Sequence, residues 1–246
     1  MIRLATGLDA GALAEAFRAG RQRLHIPGVL DPDSAEAVAA VLEAETRWKT
    51  TVAAGGQYLE LPLNGRLAED PANQPWLDGA RVDGASPVTQ YMFDTRRLTA
   101  ERDGPGDAAD AVLDFLNGPE FIGFARAVTG DDRIDLADAQ ASRYRPGHVL
   151  TAHNDVMPGK NRLYGYVLNF TRDWRADLGG NLVFYGPDGH IEHGWTPAFN
   201  ALNLFVVPTR HAVTEVASFT TRDRLSIVGW LRSHTAVGPQ AGGIRY

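Results

Sequence analysis

Leu136-Ala137-Asp138-Ala139-Gln140-Ala141-Ser142-Arg143-Tyr144, closed by Arg145-Pro146-Gly147, opens the stretch that decides the fold. From here strand-like runs follow in quick succession: Arg162 to Phe170, Asn181 to Tyr185, Ala201 to Val207, His211 to Val216 and Arg224 to Leu231. Gly179-Gly180 and Pro187-Asp188-Gly189 supply turn signals between them. Many strands at short spacing, after a helical flank, predict a β-sandwich with helices packed on one side. No repeat, low-complexity tract or linker divides the chain, so one domain over residues 1–246 is expected.

Working outward, the flank before residue 136 reads as helices with short strands. Ala12 to Arg23 carries Ala, Leu, Glu and Phe at roughly helical spacing, and Leu24 to Leu30 reads as a short strand or bend around Pro27-Gly28. Asp31 offers an N-cap and Pro32 suits the first helical position, which predicts a helix over Ala35 to Trp48. Between Thr50 and Asp83, Gly55-Gly56 and several prolines suggest turns, with Tyr58-Leu59-Glu60-Leu61 the clearest strand. Glu101 to Asp107 reads as a loop. Ala108 to Asn117 and Glu120 to Val128 read as short amphipathic helices closed by Gly118 and Gly130.

Composition bounds the function. The chain has no cysteine, which excludes disulfides and every thiolate metal site; a metal here must be held by His, Asp, Glu or backbone oxygen. A formal net charge of −6 argues against general nucleic-acid binding, which works by neutralising phosphates with Lys and Arg. No apolar run approaches membrane-spanning length, and Met1 to Gly20 lacks a signal-peptide core, so a cytoplasmic protein without a membrane partner is expected.

Of the seven histidines, His25, His148, His190, His193 and His234 lie near turns or element ends, where a structural or solvated imidazole is the ordinary case. His153-Asn154-Asp155 is different. On an extended backbone, residues two apart share a face, so an imidazole and a carboxylate reach one ion from a single strand end. Two His and one carboxylate, with the other positions open, make the facial triad of non-haem iron(II) oxygenases. The third ligand must come from elsewhere, and Arg210-His211-Ala212-Val213 follows another strand. Arg224-Leu225-Ser226-Ile227-Val228-Gly229-Trp230-Leu231 is a buried-looking strand opened by an Arg, whose best-matched partner is a carboxylate.

The ordered set Tyr144 to Gly147, His153 to Asp155, Arg162 to Trp174, Gly179-Gly180, His211 to Val213 and Arg224 to Trp230 resembles the prolyl 4-hydroxylase-like branch of the 2-oxoglutarate/Fe(II)-dependent dioxygenases. The resemblance covers about Leu136 to Ser233, with a weaker echo over Leu24 to Trp48. It implies an α+β fold with a mainly β core: a double-stranded β-helix (jelly roll) over 136–233, carrying the metal site, supported by helices and short strands over 1–135. It also implies that His153, Asp155 and His211 bind Fe(II), that Arg224 holds the distal carboxylate of the cosubstrate 2-oxoglutarate, and that Tyr144 donates a hydroxyl hydrogen bond to it. Arg222 shares the strand parity of Arg224 and competes for the anchor role. Asn169 stands where certain relatives carry a cosubstrate-binding Tyr, and could contact the cosubstrate directly or through water. Trp174 and Trp230 are expected to be packing residues, and Gly179-Gly180 a bulge or tight turn.

The implied activity is hydroxylation using O2, with succinate and CO2 as co-products. Family members that halogenate have a small residue where Asp155 stands, so its carboxylate favours hydroxylation. The leading substrate is a protein or peptide prolyl residue; a free amino acid or small metabolite is the alternative. Two other readings stay open on the residues alone: a divalent-metal hydrolase, whose base would be Glu192 or Glu215, and a non-catalytic β-sandwich binding module. Specificity is expected in the loops around the metal, Thr50 to Asp94 and Val156 to Asn161.

Overall fold

The computed structural model describes residues 1–54, 57–62, 89–98 and 106–235. The expected turn at Gly55-Gly56, most of the expected loop before Asp107 and the bulk of the expected substrate loop, residues 63–88, lie outside the described residues.

The helical flank forms where its start signals stand, but the helices expected to reach Arg23 and Trp48 stop at Ala19 and Ala44. Asp31 caps α2 (Pro32–Ala44) by accepting the Ser34 N–H, with Pro32 in the first turn where its missing N–H removes no bond. Asp107 and Asp110 make a reciprocal capping box at the start of α3 (Ala108–Leu116). Helix α4 (Pro119–Thr129) ends at Gly130 with φ of 71°, a left-handed closure that glycine adopts without strain. With α1 (Ala10–Ala19), these helices lay Phe17, Val38, Leu42, Leu116 and Ile122 against one face of a sheet. That face presents Ala141, Tyr166, Leu168, Leu204 and Ile227 in the same apolar cluster. Each such large side chain contributes roughly 1.5–3 kcal/mol on burial.

Twelve strands join in one continuous hydrogen-bonded sheet among the described residues. They are β1 (Arg23–Pro27), β2 (Lys49–Ala54), β3 (Gln57–Pro62), β4 (Tyr91–Arg97), β5 (Leu136–Tyr144), β6 (Val149–His153), β7 (Arg162–Asn169), β8 (Leu182–Tyr185), β9 (Ile191–Trp195), β10 (Ala201–Val206), β11 (His211–Val213) and β12 (Arg224–Arg232). The order β1-β10-β7-β12-β5-β4 makes the broad wall, extended by β2 and β3, and β6-β11-β8-β9 folds over it into a nearly closed barrel. At the open seam no ladder joins β9 to β1; instead Glu192 receives both Arg21 and Arg23 at 3.1 Å.

Alternate residues of the broad wall face the helices, and those between them face into the barrel. Three of the inward rows bear on the site. Arg23, Phe205, Gly165 and Trp230 stand side by side on β1, β10, β7 and β12. Asn169, Ser226, Ser142 and Thr95 make the second row, and Arg224 pairs with Tyr144 in the third. Gly165 is glycine for a visible reason: a Cβ there would meet the Phe205 ring at 2.5 Å.

The strands expected from Leu136, Arg162, Asn181, Ala201 and Arg224 form to within a residue or so, and the run from His211 ends at Val213. Strands β2, β4 and β9 were not expected. Lys49-Thr50-Thr51 and the charged Asp94, Arg96 and Arg97 lack an apolar signature, and β9 is mostly exposed. Among the described residues no helix is long and apolar enough to cross a membrane.

Candidate metal centre

His153 ends β6, and His211 begins the neighbouring β11 directly opposite it. Each ring is oriented the same way: Nδ1 donates to the carbonyl two residues earlier, at 2.9 Å to Thr151 and 2.7 Å to Thr209. That bond fixes the tautomer and leaves both Nε2 atoms facing inward. The Asp155 carboxylate lies between them, with Oδ1 at 3.3 Å from His153 Nε2 and Oδ2 at 3.4 Å from His211 Nε2. The three ligand atoms all fall within 4.8 Å of one another.

One expectation is corrected. Asp155 does not continue an extended strand from His153: β6 stops at His153, and Asp155 has φ of 65°. Asn154 Oδ1 accepts the Val156 N–H across this bend. The left-handed backbone, which Asp tolerates better than most residues, turns the carboxylate back over the two imidazoles.

Electrostatics suit a cation. Burial alone would raise the Asp155 carboxyl, but the His153 hydrogen bond and the neighbouring His211 hold it well below the usual carboxylate range. The Trp230 indole N–H points toward the same carboxylate without reaching a full hydrogen bond. His153 rises against its own burial through its bond to Asp155. His211, more deeply buried and beside His153, is lowered to about 4, so it stands neutral with a free lone pair. Phe205, 4.5 Å away between ring centroids, and Phe184 wall off its other side.

The floor of the barrel holds a second charged group. Arg224 is about 1% exposed, donates from Nη1 to Ser226 Oγ at 3.2 Å, and lies 5.0 Å above the Tyr144 ring. Among the described residues it has no carboxylate partner, and its Nε is buried without an acceptor. A desolvated guanidinium of this kind is costly unless an anion joins it. Tyr144 is buried, stacked on Phe93 at 4.9 Å, and burial pushes its phenol above its ordinary value. Arg222 faces away: its guanidinium donates to the carbonyls of Asp173 and Arg172 and is partly exposed. The two competing arginines therefore separate, one outside and one at the floor.

Asn169 also faces the floor, beside Ser226. Its amide N–H2 is turned to the Val167 and Ala201 carbonyls at 3.4 and 3.3 Å, leaving Oδ1 buried without a partner. It thus presents an acceptor to the floor. The remaining histidines stay out of the centre. His25 bonds Asn203, His148 accepts the Arg145 N–H, His234 pairs with Asp135, and His190 and His193 lie on the exposed β9 hairpin. Glu192 is engaged by Arg21 and Arg23, so it is not a free base for a metal-bound water. Trp174 serves packing, its indole donating to the Gly179 carbonyl. Gly179 and Gly180 both have positive φ, and a Cβ on Gly179 would strike the Glu215 carbonyl at 1.8 Å.

Sequence reasoning missed Arg162. Its guanidinium lies 3.3 Å over the Trp230 ring, and Nη1 donates to the backbone carbonyl of Asp155 at 3.1 Å. The signal was its place at the start of the strand that follows the His-x-Asp bend.

Residues 139–232 match the model of the 2OG-Fe(II) oxygenase superfamily. Over that segment, from within β5 to the end of β12, the chain is similar to this superfamily. Its members use Fe(II), 2-oxoglutarate and O2, and the His–Asp–His group with a buried Arg at the floor is a donor set that fits them. Over 127 residues the chain is 31% identical to mouse prolyl 3-hydroxylase OGFOD1, covering 49% of this chain and 23% of that protein. It is 35% identical over 115 residues to a PKHD-type hydroxylase of Maricaulis maris, covering 46% and 47%. The chain thus spans less than half the length of these curated relatives. Among solved structures, a Pseudomonas putida prolyl-4-hydroxylase aligns with a TM-score of 0.57 at 17% identity, over 94% of this chain and 95% of that one. A Trichoplax adhaerens prolyl hydroxylase, solved with a hypoxia inducible factor peptide fragment, aligns with a TM-score of 0.60 at 16% identity, over 91% and 89%. These likenesses establish the fold as the double-stranded β-helix of such oxygenases.

Proposed function

We propose that the chain hydroxylates a prolyl residue of a protein or peptide, consuming 2-oxoglutarate and O2 and releasing succinate and CO2. The observation that carries this reading is Arg224: a fully buried guanidinium, without a carboxylate partner among the described residues, in the same barrel as the triad. A generic divalent-metal site has no use for such a cation, whereas a dicarboxylate cosubstrate satisfies it.

In this reading His153 and His211 ligate through Nε2 and Asp155 through its carboxylate. Iron with its cosubstrate supplies the oxidising chemistry, and the protein orients and shields it. Arg224 binds the far carboxylate, supported by Ser226. Tyr144 donates its hydroxyl to the same group, and Asn169 Oδ1 accepts from a water at the floor of the barrel. Phe184 and Phe205 exclude water behind His211. No other side chain is asked to move a proton. The prolyl assignment follows the relatives, and we read residues 1–246 as one domain whose helices brace the barrel.

The test is anaerobic reconstitution with iron(II) and 2-oxoglutarate, then exposure to oxygen, with succinate measured with and without proline-containing peptides. Succinate formation that rises with peptide, together with a mass gain of one oxygen on the peptide, is expected. A folded, iron-loaded protein that binds no 2-oxoglutarate overturns the reading.

A further inference from the structure

Among the described residues, seven buried side-chain nitrogen or oxygen atoms lack a hydrogen-bond partner, and five belong to Arg23, Arg162, Asn169, Arg224 and Trp230. All five residues line the inner face of the barrel. Native proteins leave few such groups, so their concentration at one place marks where a ligand completes the bonding. Arg224 and Asn169 sit at the floor. Arg23 and Arg162 do not; they stand at the mouth, beside the triad.

Their placement is set by register. Arg23, Phe205, Gly165 and Trp230 occupy four adjacent strands in one row, which at about 4.8 Å per strand puts Arg23 and Trp230 roughly 14 Å apart. Arg162 is stacked on Trp230, and Gly165, between the two ends, is where a Cβ would come within 3.3 Å of the Asp155 carboxylate. The two guanidiniums therefore flank the triad. Each wall also carries an excess of cations. Arg21 joins Arg23 on a single carboxylate, Glu192. Beside Arg162, Arg232 pairs with Asp138, and its Nε holds the backbone carbonyl of Lys160, whose side chain is exposed. Apart from Asp155 of the triad, Arg21, Arg23, Arg162 and Arg232 thus have two ion-paired carboxylates between them, Glu192 and Asp138, in a chain whose formal net charge is −6. The sign is local, and it is set where substrate must enter. The apolar Val156 and Met157, both exposed, lie in the loop between Asp155 and Lys160.

We infer that the substrate is an acidic peptide, with a carboxylate side chain on either side of the reacting residue, received by Arg162 on one wall and by Arg21 and Arg23 on the other. This deepens the proposed function and rests on it. An extended peptide rises about 3.3 Å per residue, so a span of roughly 14 Å places the two acidic residues about two positions before and two after the reacting one. A stacked guanidinium with a free edge is well matched to such a carboxylate.

The test uses the protein loaded with iron(II) and 2-oxoglutarate under anaerobic conditions and three fluorescein-labelled nonapeptides with a central Pro. They carry Glu, Gln or Lys at both flanking positions, and affinity is read by anisotropy at low and high salt. The Glu peptide is expected to bind at least about tenfold tighter than the Gln peptide, with the Lys peptide weakest and the preference shrinking as salt screens it. In the double variant Arg21→Glu, Lys160→Glu the order is expected to reverse toward the Lys peptide, an exchange that simple structural damage does not produce. Equal affinities, binding by none of the three, or a Glu preference that survives both the double variant and Arg162→Gln overturn the inference. Peptide binding is measured without turnover. Failure here with succinate formation intact sinks only the substrate class; loss of 2-oxoglutarate binding sinks the function itself.

Discussion

His153 and His211 face each other across neighbouring antiparallel strands, with ring centroids 4.2 Å apart, and each is tethered through Nδ1 to the backbone carbonyl two residues before it. The same local bond is thus made on both strands, and it aims two lone pairs at one point. Asp155 supplies the third donor to that point.

Replacing any of the three with Ala should abolish tight iron(II) binding while leaving the sheet folded. Even residues that only orient ligands are worth about 10–100-fold in metal affinity, so direct ligands should exceed about 100-fold. Competitive titration against a metallochromic chelator measures it, with circular dichroism to confirm the fold. An Asp155→Ala variant that keeps its iron affinity removes Asp155 from the ligand set.

Arg224→Ala should weaken 2-oxoglutarate binding by on the order of 100-fold or more, since truncating one partner of a buried, hydrogen-bonded charge pair costs roughly 2–5 kcal/mol. Iron affinity should change little. Arg222→Ala should leave cosubstrate affinity unchanged and loosen only the Arg172-Asp173 loop that it holds. Calorimetry on the metal-loaded protein separates the two; a larger effect at Arg222 reverses the assignment.

Stability should fall as the pH drops from about 6.5 toward 4, in part through His148. This imidazole is buried, and desolvation lowers its folded-state pKa to about 4, against the opposing pull of Asp94. Above about pH 6.5 neither state binds the proton. Below it the unfolded chain does and the folded protein does not, so protonation favours unfolding until the pH reaches the folded value. The linkage is worth about 2 kcal/mol at pH 5. Urea midpoints at pH 7 and pH 5 measure the loss, which His148→Gln should reduce. An unchanged pH dependence in that variant assigns the effect to other groups.

Gly165→Ala should destabilise by roughly 1–3 kcal/mol, because the new methyl meets the Phe205 ring at 2.5 Å and that ring packs on His211 and Phe184. Iron affinity should fall along with stability, as the displaced ring presses on the ligand. Thermal melts and metal titration on one preparation test both; a stability loss with unchanged iron affinity uncouples the ring from the site.

Much of this was legible in the sequence because barrel strands and turn glycines carry strong local signals. Tyr144 to Gly147, Arg224 and the late His211 stood out for that reason. What escaped depends on tertiary context. Strand β4 hides because Asp94 is completely buried yet charged, and only the fold shows that Arg143, Arg145 and Thr50 converge on it. Strand β9 hides because it sits at the rim with an exposed pattern. The direction of Asn169's amide and the stacking of Arg162 on Trp230 depend on atoms from other strands, which no spacing rule encodes.

The left-handed bend at Asp155 places two demands on one residue in opposition. A non-glycine side chain at φ of 65° carries a conformational penalty on the order of 1 kcal/mol or more, which glycine would not incur. Selection for stability alone would therefore drift this position toward glycine and discard the carboxylate with it. Relaxing the bend and keeping the donor are thus exclusive at position 155, because the residue that removes the strain has no carboxylate to offer.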